Sequence, residues 1–149
     1  MKLTELFQTT TRLFLDTAPV IYLVEQNPRY MAIVDAIFER VDEGGLAAVA
    51  SPVTLAESLV APYRLGRPEV AEAFMELLAG GEGVTFVAID SIVAASAADF
   101  RARYNLSLPD ALQAAVALVA GCDAFLTNDA ALKRVTELRV ITLDEVEPD

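Results

Sequence analysis

The chain has 149 residues, 54% of them hydrophobic, and a formal net charge of −11. These values predict one globular domain and argue against a broad basic surface for nucleic acid. The sequence contains no histidine and a single cysteine, Cys122, which excludes histidine-based catalysis, histidine metal ligands and an internal disulfide and leaves acid, base and ligand chemistry to carboxylates.

No segment resembles a membrane span or a signal peptide. A span needs about 18 uninterrupted apolar residues, and the longest weakly charged segments, 44–63 and 111–126, are interrupted by proline, glycine and charged residues. The first ten residues lack a basic start followed by an apolar run. Cys122 lies in an apolar context and is expected to be a buried free thiol. We therefore expect a cytoplasmic protein that does not contact a membrane.

The predicted elements alternate short apolar strands with helices, a pattern typical of βαβ units and a mostly parallel sheet. The first half contains a strand at 12–16, helices at 19–25 and 30–43, a strand at 46–50, and helices at 54–65 and 68–79. The second half contains strands at 84–89, 124–127 and 139–143, with helices at 90–104, 107–120 and 130–135. We interpret residues 1–10 as an N-terminal extension, an arm or short helix, before a domain at residues 11–149. The acidic last six residues are expected to be frayed.

Four carboxylates each lie just after a predicted strand or at the start of a helix. They are Asp16, Glu57, Asp110 and Asp129. Ligands collect at the carboxyl ends of parallel strands, so side chains from several strands can converge there. Convergent carboxylates repel each other unless a hard cation lies between them. The pattern therefore predicts a Mg²⁺ or Mn²⁺ site.

Each of these acids also has a structural explanation when it is taken alone. Asp16 is suited to cap a helix N-terminus. Glu57 lies three residues after Thr54, which is the spacing of a capping box, and Asp110 has the same spacing from a serine. Asp129 lies in a turn where local backbone hydrogen bonds are common. Helix capping alone does not explain why these acids lie beside apolar strands. The four carboxylates together therefore favour a shared site.

Three other aspartates are given structural roles. Asp90 precedes a predicted helix and is expected to cap it. Asp99 lies within that helix near two arginines and is expected on a solvated face. Asp123 precedes the fourth strand, at the end of the sheet away from the predicted site.

Four motifs in fixed order resemble those of the PIN-domain ribonucleases, especially the small single-domain toxins of bacterial toxin–antitoxin pairs. The motifs are Leu15-Asp16-Thr17, the segment 51–57 ending in Ala-Glu, the segment 106–118 with Leu-Pro-Asp-Ala, and the segment 121–129 ending in Leu-Thr-Asn-Asp. The resemblance covers residues 12–143. It implies an α/β PIN-like domain with a mostly parallel five-stranded sheet of order 3-2-1-4-5, flanked by helices.

The resemblance also implies an activity and its residues. The family's acidic quartet falls on Asp16, Glu57, Asp110 and Asp129, which would bind Mg²⁺ or Mn²⁺ and act in catalysis. Thr127 matches a hydroxyl position near the metal, and Asn128 lies beside it as an auxiliary residue. The implied reaction is two-metal-type hydrolysis of RNA phosphodiester bonds, in which an activated water attacks phosphorus in line and leaves a 5′-phosphate and a 3′-hydroxyl.

Partners follow from the same resemblance. We expect an RNA substrate, a cognate antitoxin and a homodimer. An amphipathic antitoxin segment is expected on an apolar helical surface with Val20, Tyr22, Leu23, Leu59 and Tyr63 as candidates. Basic residues that could hold RNA are few, and the nearest to the predicted cleft along the chain are Arg12, Lys133 and Arg134.

Two other functions share part of this sequence pattern. A phosphatase of the haloacid dehalogenase type needs a second carboxylate two residues after the first, and Ala18 stands at that position. A catalytically silent PIN-like module that only binds proteins is the remaining alternative. The chain keeps all four acids, which favours the enzyme.

Overall fold

Five short parallel strands form the centre of the protein in a computed structural model that describes residues 1–149. The strands are β1 (Arg12–Leu15), β2 (Ala47–Ala50), β3 (Val84–Phe86), β4 (Ala124–Thr127) and β5 (Val140–Thr142). Their order across the sheet is β3-β2-β1-β4-β5, and every neighbouring pair is parallel. The predicted α/β class and the 3-2-1-4-5 order are confirmed.

Seven helices flank this sheet. They are α1 (Leu3–Thr9), α2 (Thr17–Val24), α3 (Met31–Asp42), α4 (Pro52–Arg64), α5 (Pro68–Ala79), α6 (Ser91–Tyr104) and α7 (Leu108–Val119). Short 3₁₀ turns follow β4 at Ala130–Arg134 and β5 at Leu143–Glu145. None of the helices combines the length and apolar character needed to cross a bilayer.

Alternating strand residues divide the core into two halves. Leu13 and Leu15 of β1 pack with helices α1, α2, α3 and α5 on one face. Phe14 points to the other face, where it stacks on Phe125 of β4 at a centroid distance of 4.9 Å and packs with α6 and α7. Successive side chains of a strand point to opposite faces of the sheet, so a strand buried on both faces is apolar throughout. Burial on both faces therefore explains why the predicted strands are continuous apolar runs.

The first ten residues and the last ten lie together. Leu3 and Leu6 of α1 are buried in the larger half of the core. Lys2 forms a parallel bridge with Glu147, and both the amide and the hydroxyl of Thr4 donate to the carboxylate of the last residue. The expectation of a frayed acidic tail is therefore wrong, because backbone and side-chain bonds tie the tail to the N-terminal segment.

Candidate active site

Asp16 is the most enclosed of the four predicted acids. It directly follows β1 and caps α2, since its Oδ1 accepts a hydrogen bond from Thr17 N at 2.9 Å. Its Oδ2 accepts from the hydroxyl of Thr127 at 2.6 Å. Burial, with 8% of the residue exposed, raises the pKa of Asp16. The hydrogen bonds oppose this shift, whereas the negative charges of Asp110 and Glu57 add to it.

Glu57 lies on the exposed side of α4 and contacts Asp16 indirectly. Its Oε1 accepts a hydrogen bond from the hydroxyl of Thr17 at 2.7 Å. Thr17 therefore connects two of the predicted acids, through its amide to Asp16 and through its hydroxyl to Glu57. Thr17 belongs to the Leu15-Asp16-Thr17 motif but was predicted to have no role of its own, and its position next to Asp16 is the signal that points to one.

Glu57 does not take part in a capping box with Thr54, so that prediction is wrong. Helix α4 begins at Pro52, two residues before the predicted start, and Ser51 is its N-cap. The capping box is formed by Ser51 and Thr54, because the Ser51 hydroxyl accepts from Val53 N and Thr54 Oγ1 accepts from Ser51 N. Glu57 lies a full turn further along and takes no part in capping.

Asp110 lies in the first turn of α7, where a negative charge interacts favourably with the helix dipole. Its backbone amide donates to Oγ of Ser107, the N-cap, at 3.3 Å. Burial raises the pKa of its carboxyl group, a hydrogen bond with Ser107 lowers it, and the charges of Asp129 and Glu57 raise it further. Asp110 is thus electrostatically coupled to two of the other acids.

Asp129 follows β4 and is exposed. Its Oδ1 accepts from Ala131 N at 2.9 Å, which caps the 3₁₀ turn. Its amide donates to the Thr127 hydroxyl at 3.0 Å. Thr127, which is fully buried, thereby links Asp129 to Asp16. Asn128 instead donates its side-chain amide to the hydroxyl of Tyr22 at 2.9 Å.

The four acids share the carboxyl end of the sheet without forming a tight cluster. The charges of Glu57 and Asp110 act on Asp16, and the charge of Asp129 acts on Asp110. No three Asp, Glu or Cys side chains lie close enough together to hold one metal ion between them. The oxygen-only donor set fits Mg²⁺ or Mn²⁺ in chemistry, and Mg²⁺ ordinarily keeps several waters and binds through only one or two carboxylates.

The three basic residues nearest the acids along the sequence are not free at this cleft. Arg12 lies at the start of β1, at the opposite end of the strand from Asp16. Lys133 forms an ion pair with Glu145, and Arg134 donates to a backbone carbonyl in the loop before α7. Lys133 and Arg134 thus already have partners, and Arg12 lies away from the acids.

The structural roles assigned to the other aspartates are confirmed. Asp90 caps α6 by accepting from Val93 N at 2.9 Å. Asp99 pairs with Arg103 on the exposed side of α6. Asp123 accepts three hydrogen bonds from residues 11 and 12 at the amino end of the sheet.

Comparison with known proteins agrees with this architecture. The sequence profile of the PIN domain family matches residues 13–138. No curated protein matches the sequence significantly. The fold is similar to a chain of VapBC2 from Rickettsia felis bound to a promoter DNA fragment, with a TM-score of 0.71 and 14% identity over 89% of this chain and 98% of that one.

Two further solved structures have the same fold at low identity. Mycobacterium tuberculosis VapC20, described as a sarcin-ricin loop cleaving toxin, matches with a TM-score of 0.69 and 17% identity over 85% of this chain and 98% of that chain. VapBC-1 from nontypeable Haemophilus influenzae matches with a TM-score of 0.66 and 20% identity over 90% of this chain and 99% of that chain. Identities this low indicate a shared fold, and the family profile spans most of the chain. The protein belongs to the PIN domain family.

Proposed function

We propose that this protein is a metal-dependent endoribonuclease that hydrolyses RNA phosphodiester bonds in the cytoplasm, as the toxin of a toxin–antitoxin pair. The observation that carries the proposal is the set of four carboxylates delivered by β1, α4, α7 and β4 to one end of a PIN-family sheet. Two of them, Asp16 and Asp110, have pKa values raised partly by the charges of the others. Such mutual repulsion is relieved when a cation binds.

Asp16 and Asp110 are the best candidates to hold a divalent ion, and Glu57 and Asp129 would complete the set of carboxylates around it. A bound Mg²⁺ or Mn²⁺ would supply positive charge to the phosphate oxygens and make an adjacent water easier to deprotonate. Thr127 and Thr17 keep Asp16 and Glu57 oriented toward the cleft through their hydroxyl groups. Rigid support of this kind preserves the affinity of a metal site.

Glu57 is the carboxylate best suited to accept the proton of the attacking water. It is exposed, and Thr17 is its hydrogen-bond donor. Attack of that water on phosphorus breaks the bond to the 3′-oxygen, which takes up a proton from solvent water as it leaves, and Glu57 later releases its proton to solvent. The products are a 5′-phosphate end and a 3′-hydroxyl end.

Cleavage of a panel of structured RNAs, with Mn²⁺ and with EDTA, tests the proposal. We expect cleavage only with the metal, 5′-phosphate products, and a loss of at least about 100-fold in Asp110→Asn. Asp123→Asn is the matched control, because Asp123 lies at the opposite end of the sheet and should keep the wild-type rate. Equal rates for Asp110→Asn and wild-type protein would refute the site assignment.

The absence of a close three-carboxylate cluster favours the alternative, a silent PIN-like module that binds proteins. Metal-dependent cleavage of RNA distinguishes the nuclease from the silent module. The silent module would bind a partner yet show no metal-dependent cleavage of any RNA, and Asp110→Asn would leave partner binding unchanged.

We propose that an antitoxin covers the surface between α2, α4 and α5. Two of the predicted contact residues, Val20 and Leu59, are core residues and cannot contact a partner. Tyr63 is 67% exposed, and Leu65 lines a neighbouring cavity of about 420 Å³. The cavity is lined by apolar residues together with Glu25 and Arg67, and such a mixed lining beside an exposed aromatic residue suits an amphipathic segment.

Co-expression with the neighbouring gene tests this surface. Wild-type protein should be recovered as a complex, and Leu65→Asp should be recovered free while retaining nuclease activity. Recovery of only free wild-type protein at micromolar concentration would contradict the toxin role. It would remain compatible with a nuclease that has no antitoxin.

Self-association is the remaining proposal. Large apolar side chains are exposed on α6 and α7, namely Ile92, Leu118 and Val119. A two-fold homodimer is the commonest way to bury such residues. A dimer would also place two clefts on one RNA, which would assist binding by a chain with a net charge of −11. Light scattering should give a dimer mass, and a monomer with full activity would exclude this account.

A further inference from the structure

A buried polar cluster lies beneath the acidic residues and consists of Ser51, Thr54 and Gln113. All three are essentially inaccessible to solvent, with exposures of 0%, 0% and 1%. Hydroxyl and amide groups are costly to bury unless each is hydrogen-bonded. None of the three takes part in the proposed cleavage, so the cluster needs a separate explanation.

One hydrogen-bond network satisfies the cluster and joins three elements. Gln113 Nε2 of α7 donates to Thr54 Oγ1 of α4 at 2.8 Å. The Ser51 hydroxyl donates to Gln113 Oε1. Thr54 Oγ1 in turn donates to the carbonyl oxygen of Leu15, at the end of β1, at 3.4 Å. The amide of Gln113 therefore ties α7 to the start of α4, and through Thr54 to β1.

Each of these elements carries one of the predicted acids. Asp16 directly follows the β1 carbonyl that Thr54 contacts. Glu57 lies three residues after Thr54 on α4, and Asp110 lies three residues before Gln113 on α7. Residues three apart lie on one side of a helix, about one turn from each other. The network is therefore one helical turn, or one residue, away from three of the four acids.

The rest of the buried face of α7 consists mostly of small side chains. Ala111, Ala114, Ala115 and Ala117 are fully buried, and Val116 is the one larger apolar side chain buried with them. Small side chains allow close packing but offer few interlocking shapes to prevent a helix from sliding or rotating. Directional hydrogen bonds in a fully satisfied buried network do restrict such movement.

We propose that Gln113 is a positioning residue for RNA cleavage, an inference that rests on the proposed function. Its amide holds α7 against α4 and β1, so that Asp110 keeps a fixed distance from Glu57 and Asp16. The metal affinity of the site depends on that distance. Gln113 itself touches neither the substrate nor the ion.

Gln113→Leu tests the proposal by removing both bonds of the amide, which also leaves the Ser51 hydroxyl without its acceptor. Thr54 retains the bonds to Ser51 N and to the β1 carbonyl, and the Ser51 hydroxyl still accepts from Val53 N. Ser58→Ala is the matched control, since the Ser58 hydroxyl is equally buried but donates to Thr54 O within α4, at 2.7 Å. Gln113→Met fills the same space with a flexible side chain and repeats the test if the leucine variant folds poorly.

Three readouts separate positioning from stability: Mn²⁺ affinity of the RNA-free protein by calorimetry, kcat and KM on a cleaved RNA, and the urea midpoint. We expect Gln113→Leu to weaken Mn²⁺ binding and to lower kcat by about tenfold or more, with KM changed by less than about twofold. Ser58→Ala should also lower the urea midpoint, but it should leave Mn²⁺ affinity and kcat unchanged.

The outcomes distinguish this inference from the function beneath it. Wild-type Mn²⁺ affinity and kcat in both Gln113 variants would overturn the positioning role and leave the nuclease proposal intact. Equal losses of Mn²⁺ affinity in the Ser58 and Gln113 variants would also overturn it, because general destabilisation would then explain both. A wild-type protein that neither binds Mn²⁺ nor cleaves RNA would overturn the function and the inference together.

Discussion

The hydroxyl of Thr127 donates to Oδ2 of Asp16 across 2.6 Å, although 111 positions separate the two residues in the sequence. The two side chains meet because β1 and β4 are neighbouring parallel strands that end at the same edge of the sheet. The hydrogen bond lowers the pKa of a carboxyl group that burial raises. Asp16 is thus buried, and a hydroxyl donor still favours its ionised form, which is the form that the proposed cation site would need.

Replacing that donor should impair cleavage more than folding. In Thr127→Val, Asp16 loses a hydrogen bond that favours its ionised form, and the amide of Asp129 loses its acceptor. We expect kcat to fall by about 10- to 100-fold, measured by single-turnover cleavage. Thr127→Ser keeps the hydroxyl and should retain most of the activity. A valine variant with the wild-type rate would remove Thr127 from the site.

Neutralising an acid should stabilise the metal-free protein, or leave its stability unchanged, while it abolishes activity. The pKa of Asp16 is raised in the folded state, so its contribution to stability is full below the ordinary aspartate pKa and is lost as pH rises through the raised value. At neutral pH the ionised side chain therefore costs stability, and Asp16→Asn removes that cost. Urea unfolding in EDTA at pH 7 measures the effect. A marked loss of stability would contradict the electrostatic account.

The ionised carboxylate of Asp123 should stabilise the folded protein, in contrast to that of Asp16. Its carboxylate accepts from Thr11 N, from Thr11 Oγ1 and from Arg12 N. Burial raises its pKa, but these bonds lower it more, and the net pKa is below the ordinary value. Its contribution is therefore present above the ordinary aspartate pKa of about 4 and is lost as pH falls through the lowered value.

Asp123→Asn tests this contrast, because an amide cannot accept all three bonds. We expect the free energy of unfolding at pH 7 to fall by about 1 kcal/mol and the cleavage rate to stay unchanged. The difference from wild type should shrink as the pH is lowered below about 4. A constant difference across that range would show that the carboxylate charge is not responsible.

Cys122 should be a poor nucleophile in the folded protein. Burial raises the pKa of its thiol to about 11, from an ordinary value of 9.0. The thiolate fraction at pH 7.5 is therefore about 100-fold smaller than in the unfolded chain. Alkylation by iodoacetamide, followed by mass spectrometry, should be correspondingly slow in buffer and fast in urea. Rapid reaction in buffer would place the thiol at the surface.

The N-terminal helix should contribute to the core as strongly as the later helices do. Leu6 of α1 is fully buried, so Leu6→Ala should lower the free energy of unfolding by about 2–5 kcal/mol. Glu5→Ala changes an exposed residue of the same helix and should have little effect. Urea denaturation measures both. Equal stabilities for the two variants would mean that α1 is only an appended arm.

The sequence alone determined the order and type of the elements and the acids that follow the strands. The apolar runs at 12–16 and 124–127 and the helical periodicity between them are local patterns, and burial on both faces of a parallel sheet explains them. Acids directly after apolar strands are equally visible, because parallel strands bring their carboxyl ends to one edge. Family membership followed from these motifs in their order.

Only the tertiary structure decided how those acids are held. Whether Glu57 caps α4 depends on where that helix begins. Ser51 and Thr54 form the cap, so the helix begins at Pro52 and Glu57 lies too far along it to take part. The bond between Gln113 and Thr54 joins residues 59 positions apart. Helical and strand periods describe which face of an element is buried. They carry no information about which buried polar groups meet across elements, because that depends on the packing of the whole chain.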